Sequence, residues 1–269
     1  SKQMKLTMRL GARSYDIILK RGALKNLSAL INLNRKVFIV TDSGVPAQYA
    51  ETVRAQCKEG LVYTVPQGEG SKSLAVYQKL LEAMLEAGFG RGDAVVAVGG
   101  GVVGDLAGFV AATYMRGVDF INCPTTTLSQ IDSSIGGKVA VDLGRTKNIV
   151  GAFWQPKLVV VDPDTLATLP RRHFVNGLAE SVKMSLTCDA ELFQMFETCD
   201  VDAELETIIR RSLLIKKSVV ERDETEQGLR AILNFGHTLG HGIEAVKGIG
   251  GRRKTGFTTA SAWRWACCP

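Results

Sequence analysis

Hydrophobic positions along this chain follow two rhythms, and the change comes near residue 165. Before it, short β-branched runs bounded by glycine, proline or polar clusters alternate with stretches whose leucines and alanines recur at helical spacing. Residues 4–20 predict two strands around a turn at Gly11, followed by a short helix near 23–33 and a strand at Lys36–Asp42. Another helix leads to a strand at 61–66, and residues 72–88 predict a helix that stops at Gly88. The run 93–98 is almost continuously apolar, as in a parallel strand covered on both faces. Alternation continues to 158–162, where Pro163 and Pro170 follow. Beyond them strand signals fade, and 171–247 reads as consecutive helices. The expected architecture is an α/β N-terminal domain with a mostly parallel sheet over 1–165. An all-α domain over 166–247 comes next, incomplete in this chain, and 248–269 is a tail that fits neither.

Composition narrows the class. An apolar fraction of 45% and a charged fraction of 22% are those of a soluble globular protein. No apolar run approaches the ~20 residues of a membrane span, and no signal core follows the N-terminus, so no membrane partner and a cytoplasmic location are expected. The six cysteines (Cys57, Cys123, Cys188, Cys199, Cys267, Cys268) are irregularly spaced, which fits reduced thiols better than a disulfide framework. The net charge of +6 suits an anionic partner. Its basic residues are scattered without aromatic interleaving, which favours a small anion over nucleic acid.

Glycine loops carry the candidate chemistry of the first half. Gly99, Gly101 and Gly104 spell G-x-G-x-x-G straight after the apolar strand, with Gly100, Val102 and Asp105 between and after them. The small-residue helix from Leu106 follows. Such a turn brings backbone amides up to a pyrophosphate at a helix N-terminus, although the same turn can exist without a ligand. The acid expected about twenty residues later is not evident, and Asp42 is an alternative ribose partner in a different arrangement. A second loop, Pro66 to Lys72, contains Glu69 and would suit a ribose or phosphate. Pro124, Thr125, Thr126 and Thr127 place hydroxyls after a strand. Two polar glycine loops follow, one from Asp132 to Lys138 and one from Gly144 to Asn148 with Lys147, and both suit phosphate or carboxylate capture.

The helical half concentrates groups that are costly to bury. Arg230 to His241 packs an arginine, an asparagine and two of the chain's 3 histidines into an otherwise apolar helical pattern. His237 and His241 share one face by i,i+4 spacing, as do Arg230 and Asn234. A metal or an anion would satisfy such groups, and two histidines lining a core helix is the alternative. Glu180 and Lys183 stand i,i+3, Lys216 lies in an apolar helix beside Lys217, and Glu226 precedes Arg230. Singly these are ordinary surface charges. Together with the histidines they form a metal-plus-cation set.

In order and spacing, these motifs resemble the 3-dehydroquinate synthase family over about residues 5–247. The resemblance rests on Val98-Gly-Gly-Gly, Tyr114-Met-Arg-Gly117, Pro124-Thr-Thr-Thr, Asp132 to Lys138, Lys147 to Pro156, Leu178-Ala-Glu-Ser-Val-Lys183 and Asn234 to His241. It implies a shikimate-pathway lyase that converts 3-deoxy-D-arabino-heptulosonate 7-phosphate to 3-dehydroquinate and phosphate, with NAD and a divalent zinc or cobalt ion. A ring hydroxyl is transiently oxidised, phosphate is eliminated, the hydride returns, and an intramolecular aldol step closes the carbocycle. The substrate's phosphate serves as its own base in that scheme. A homodimer is the family expectation.

Position by position, the resemblance makes Glu180 and His237 metal ligands. Arg116, Lys138, Lys183, Lys216, Arg230, Asn234 and His241 match substrate contacts, and Asp132 and Glu226 match acidic active-site positions. Asp42, Glu69, Lys72, the Gly100–Gly101 loop, Thr125, Thr126, Lys147 and Asn148 match the NAD site, to which Val102 and Asp105 belong by position. Related folds leave other readings open, namely another sugar-phosphate cyclase, a metal-dependent polyol dehydrogenase, or an inactive NAD-binding remnant. The cluster of lysines and arginine favours a doubly anionic substrate.

Family members continue beyond the position of His241, where a His-Gly-Glu motif supplies a third metal ligand. The tail from Phe257 to Pro269 has no family resemblance. Read from the third base of the Phe257 codon, its allowed triplets include His-Gly-Glu followed by Val-Ala-x-Gly-Met. The expectation is a frameshift between about Lys247 and Phe257, weak metal binding and little or no activity.

Overall fold

A computed structural model describes residues 1–227 of the chain. It divides into two compact units, Ser1–Gly177 and the chain from Leu178 onward.

The first unit is built on a seven-stranded sheet. Its strands are β1 (Met4–Met8), β2 (Tyr15–Leu19), β3 (Lys36–Asp42), β4 (Glu59–Val65), β5 (Ala94–Gly99), β6 (Asp119–Pro124) and β9 (Leu158–Val161), and their order across the sheet is β1-β2-β9-β6-β5-β3-β4. Only β1 runs antiparallel to its neighbour, in the turn-connected pair predicted around Gly11. Helices α1 (Leu27–Leu30), α2 (Ala47–Arg54), α3 (Leu74–Glu86) and α4 (Gly101–Thr113) fill the crossovers. Alternation along the strands sorts the core into two faces. Phe38, Val40, Val95 and Ala97 pack with Leu80, Met84 and Leu106 on one side. Val37, Ile39, Val96 and Val98 pack with Leu27, Val53 and Ile121 on the other. Every residue of β5 is buried, which explains its unbroken apolar run.

Two features differ from expectation. First, α4 begins at Gly101, so Gly104 and Asp105 are helical rather than part of a loop. Second, the two polar loops expected between Asp132 and Asn148 are shorter than expected, keeping only residues 134–137 and 144–145 outside regular structure. Ser129–Ser133 forms one π-helical turn, and β7 (Lys138–Leu143) pairs antiparallel with β8 (Thr146–Phe153) in a separate two-stranded sheet. Lys138, Lys147 and Asn148 are therefore strand residues. The hairpin's alternation is real, since Val139 and Val141 are buried and Val150 and Ala152 face the same core. Flanking glycines and lysines hid it.

The hairpin explains a helix that is apolar all round. α4 contacts β5 and β6 on one side and β7 on the other, and most of its residues from Val103 to Ala111 are buried. Gly108 permits this approach, because a Cβ there would lie 2.2 Å from Val139 Cγ1 and 3.1 Å from Phe120 Cε1.

After a 3₁₀ segment at Pro163–Thr168, helix α5 (Arg171–Cys188) carries the chain out of the first unit. The second unit continues with α6 (Ala190–Thr198) and α7 (Leu205–Arg222), the consecutive helices that the 3.6-residue period predicts. Leu205, Ile208, Ile209, Leu213, Val219 and Val220 form the buried stripe of α7. Asp189 caps α6 through Leu192 N–H at 3.0 Å and receives Nε and Nη2 of Arg211 at 2.8 Å each, which ties α6 to α7.

Candidate functional site

The strand order reverses at β3. The crossover after β3 goes outward to β4, whereas the one after β5 goes the other way to β6, so a crevice opens at the carboxyl ends of β3 and β5. Register places four candidate loops side by side along that edge. Val65 is paired with Asp42, Val40 with Ala97, and Gly99 with Pro124. The loop from Pro66, Asp42 itself, the triple-glycine turn and the threonine run thus leave four adjacent strands at one level.

The glycine turn is shaped for close backbone approach. Gly100 is the N-cap of α4 and has no side chain to cap it, and the first backbone bond of the helix is Gly104 N–H to Gly100 O at 3.0 Å. The amides of Gly101, Val102 and Val103 therefore have no partner within the helix, whereas α3 and α6 are capped by Ser73 and Asp189. A Cβ on Gly100 would meet Thr126 Cγ2 at 3.0 Å, and one on Gly99 would meet Val103 Cγ2 at 2.7 Å. Thr125 N–H donates to Gly99 O at 2.9 Å, which joins the threonine loop to the turn. The Thr126 hydroxyl bonds Ser129 Oγ at 2.7 Å and so starts the π-helical turn that carries Asp132.

Asp42 shapes its own turn, its Oδ1 accepting from Gly44 N at 2.8 Å and Val45 N at 3.1 Å. Oδ2 has no partner among the described residues. Lys72 is 5% exposed, with Nζ 2.7 Å from Asp105 Oδ2 and 3.9 Å from Glu69 Oε1. Burial pushes the Asp105 carboxyl above its ordinary range, and the Lys72 ammonium pulls against that rise. Sequence reasoning put Glu69, Lys72 and Asp105 at one site without seeing that two of them form an ion pair.

It missed Asp142 entirely. The Asp142 N–H donates to Lys72 O at 2.9 Å, and its Oδ1 accepts the Asn148 N–H at 2.8 Å. That amide holds the Asp142 carboxyl below the usual carboxylate range. Asn148 adopts a left-handed conformation, φ 56°, beside the exposed Lys147, so Asp142 fixes a strained position. An aspartate ending an alternating strand carries no local signal of this.

Arg116 lies in a turn of positive φ, and Lys138 is exposed at the start of β7. In the second unit, Lys183 Nζ is 3.1 Å from Glu180 Oε1, and Lys216 is half-buried on α7. Glu226 follows α7 with φ 60°. Arg230, Asn234, His237 and His241 lie outside the described residues, as does the tail. Among the described residues no three His, Cys, Asp or Glu side chains stand close enough to hold a metal. Burial raises the Cys57 thiol to about 11 and the Cys123 thiol to about 12, so neither is a reactive thiolate at neutral pH. No helix among the described residues is long and apolar enough to cross a membrane.

Comparison with known proteins follows the same boundaries. A family profile described as 3-dehydroquinate synthase N-terminal matches residues 62–176, and one described as 3-dehydroquinate synthase C-terminal matches 177–254. A 3-dehydroquinate synthase of Pelobacter propionicus is 45% identical over 258 residues, covering 91% of this chain and 72% of the relative. One from Caldanaerobacter subterraneus subsp. tengcongensis is 46% identical over 252 residues, covering 89% and 71%. Among solved structures, 2-deoxy-scyllo-inosose synthase complexed with carbaglucose-6-phosphate, NAD+ and Co2+ superposes with a TM-score of 0.80 at 30% identity, covering 92% of this chain and 72% of that one. The 2-epi-5-epi-valiolone synthase of Streptomyces hygroscopicus subsp. jinggangensis, with NAD+ and Zn2+ bound, gives 0.75 at 30% identity, covering 87% and 69%.

Proposed function

Because the chain belongs to the 3-dehydroquinate synthase family, we propose that the carboxyl edge of its sheet binds NAD and that its cations bind 3-deoxy-D-arabino-heptulosonate 7-phosphate for conversion to 3-dehydroquinate and phosphate. The reading is that of a lyase of the shikimate pathway, cytoplasmic and homodimeric. One observation carries the nucleotide half: four loops leave adjacent strands at one level, one of them running into the uncapped N-terminus of α4, beside a switch point of the sheet.

The residues present fit the nucleotide. Amides of Gly101 and Val102 are free to meet an anion without competition from a capping side chain, and Gly100 lets the turn pack against Thr126. Asp42 has an unengaged carboxylate oxygen for a ribose diol. Glu69, Lys72 and Asp105 form the charged wall of the same edge, with Thr125, Thr126, Lys147 and Asn148 around it. For the metal, Glu180 is the one assigned ligand within the described residues.

When bound, NAD and the divalent cation supply a reversible oxidation of a ring hydroxyl and polarisation of the oxygens involved. The chain's own contribution is binding and orientation. Arg116, Lys138 and Lys216 neutralise carboxylate and phosphate, and Lys183 does so from beside Glu180. Asp132 is held at the π-helical turn, where it orients a substrate hydroxyl.

The test is phosphate release from the heptulosonate phosphate, with and without NAD, against glucose 6-phosphate as the rival substrate. NAD-dependent release from the heptulosonate alone supports the reading. Release from glucose 6-phosphate would assign another sugar-phosphate cyclase, and nucleotide binding without release from either would make the chain a binding protein. Sedimentation velocity checks the dimer.

A further inference from the structure

We propose that Trp154 is a positioning residue for Arg116, locking the turn that carries this guanidinium and joining it to the turn before Lys138. The proposal rests on the reading of Arg116 as a sugar-phosphate contact. Three consecutive residues at the end of α4 have positive φ: Met115 at 50°, Arg116 at 69° and Gly117 at 119°. Only the glycine adopts that region freely. Two L-residues persist there when the surroundings over-determine the backbone, and such positions cluster at ligand clamps.

The surroundings here are specific. Gly117 N–H donates to Tyr114 O at 2.9 Å, and Val118 N–H donates to Ala111 O at 2.8 Å. Tyr114 is itself tied down, its hydroxyl donating to Phe89 O at 2.8 Å. The indole of Trp154 closes the other side. It donates from Nε1 to Val118 O at 3.1 Å. Its ring lies so close to Gly117 that a Cβ there would be 2.4 Å from Cη2 and 2.8 Å from Cζ2. Trp154 is anchored in turn by its own N–H, which donates to Gly137 O at 2.8 Å, next to Lys138.

Arg116 is exposed and makes no hydrogen bond or ion pair with the described residues. Its guanidinium is therefore placed by backbone alone, and whatever locks the backbone decides where the charge can be presented. Trp154 thus holds the Arg116 turn through its indole and the turn before Lys138 through its backbone N–H.

Trypsin cleavage after Arg116 reads the lock directly, with cleavage after Arg145, in the exposed hairpin turn, as internal control. Trp154→Ala is expected to accelerate the first by about tenfold or more and leave the second unchanged. Calorimetric affinity for the heptulosonate phosphate, in the presence of NAD, should fall about as far as in Arg116→Ala, roughly tenfold. The double variant should be no weaker than Arg116→Ala, and NAD affinity should stay within about twofold of the parent. Trp154→Phe keeps most of the ring without the N–H and should lie between, which guards against a variant that fails to fold. Unchanged cleavage after Arg116, or losses that multiply in the double variant, overturns the proposal. If Arg116→Ala leaves sugar-phosphate affinity intact while Trp154→Ala still frees the turn, the assigned role of Arg116 fails and the proposal with it.

Discussion

Replacing Asp105 by leucine would strand the Lys72 ammonium in a site where only 5% of the residue is exposed. At 2.7 Å the two charges attract by about 6 kcal/mol for an effective dielectric of about 20, before any desolvation cost is subtracted. Removing one member of a buried pair costs about 3–5 kcal/mol, chiefly through the charge left behind. Two features lower that figure here. The Asp105 side chain is 23% exposed, and Glu69 remains 3.9 Å from Nζ as a second, weaker partner. We expect Asp105→Leu to destabilise by about 2–3 kcal/mol. Lys72→Met should cost less, because Asp105 can be protonated when its partner is gone, and burial already raises its carboxyl. The double variant Asp105→Leu, Lys72→Met replaces both charges by apolar groups and should return to within about 1 kcal/mol of the parent. Urea unfolding followed by circular dichroism gives the four midpoints, and the cycle gives a coupling of about 2 kcal/mol. A coupling below about 0.5 kcal/mol would refute the pair as a structural element. If the pair also shapes the nucleotide edge, the double variant recovers stability without recovering NAD affinity.

Other outcomes follow from the same packing and electrostatics. Gly108→Ala drives a methyl to 2.2 Å from Val139 Cγ1 and should cost about 1–3 kcal/mol, read as a lower urea midpoint at unchanged slope. A neutral slope and midpoint would mean that the hairpin does not press on α4. Asp142, whose folded carboxyl is lowered by the Asn148 N–H, contributes stability above the unfolded aspartate value of about 3.9 and loses it as pH falls through the folded value. Asp142→Asn should therefore fall behind the parent above about pH 5 and converge with it on acidification, and a deficit that widens toward low pH contradicts the assignment. Asp105 has the opposite sign, because its carboxyl is raised. Its own titration favours folding below the unfolded value and fades as pH rises through the folded one, so the deficit of Asp105→Leu should be larger in acid than at neutral pH.

Local chemistry determined much of this protein. Unbroken apolar runs rich in β-branched residues set β3 and β5, glycine and helical spacing set α3, and the 3.6-residue period sets α7 with its buried stripe. The glycine clusters after β4 and β5 were equally legible as loops, because glycine ends a strand and precedes a helix start. Tertiary structure decided what depends on distant partners. The hairpin β7–β8 emerges only because Val139 and Val141 join the core around α4, whose Gly108 leaves room for Val139. Lys72 becomes a buried ion-pair member only when α4 brings Asp105 within 2.7 Å, 33 residues along the chain. Asp142 carries no motif and Trp154 sits in one without a role of its own, and both act through bonds to Asn148, Gly137 and Val118. Periodicity is written in neighbouring residues, whereas the pairing of a carboxylate with an ammonium, or an indole with a glycine, exists only once folding has closed the loops between them.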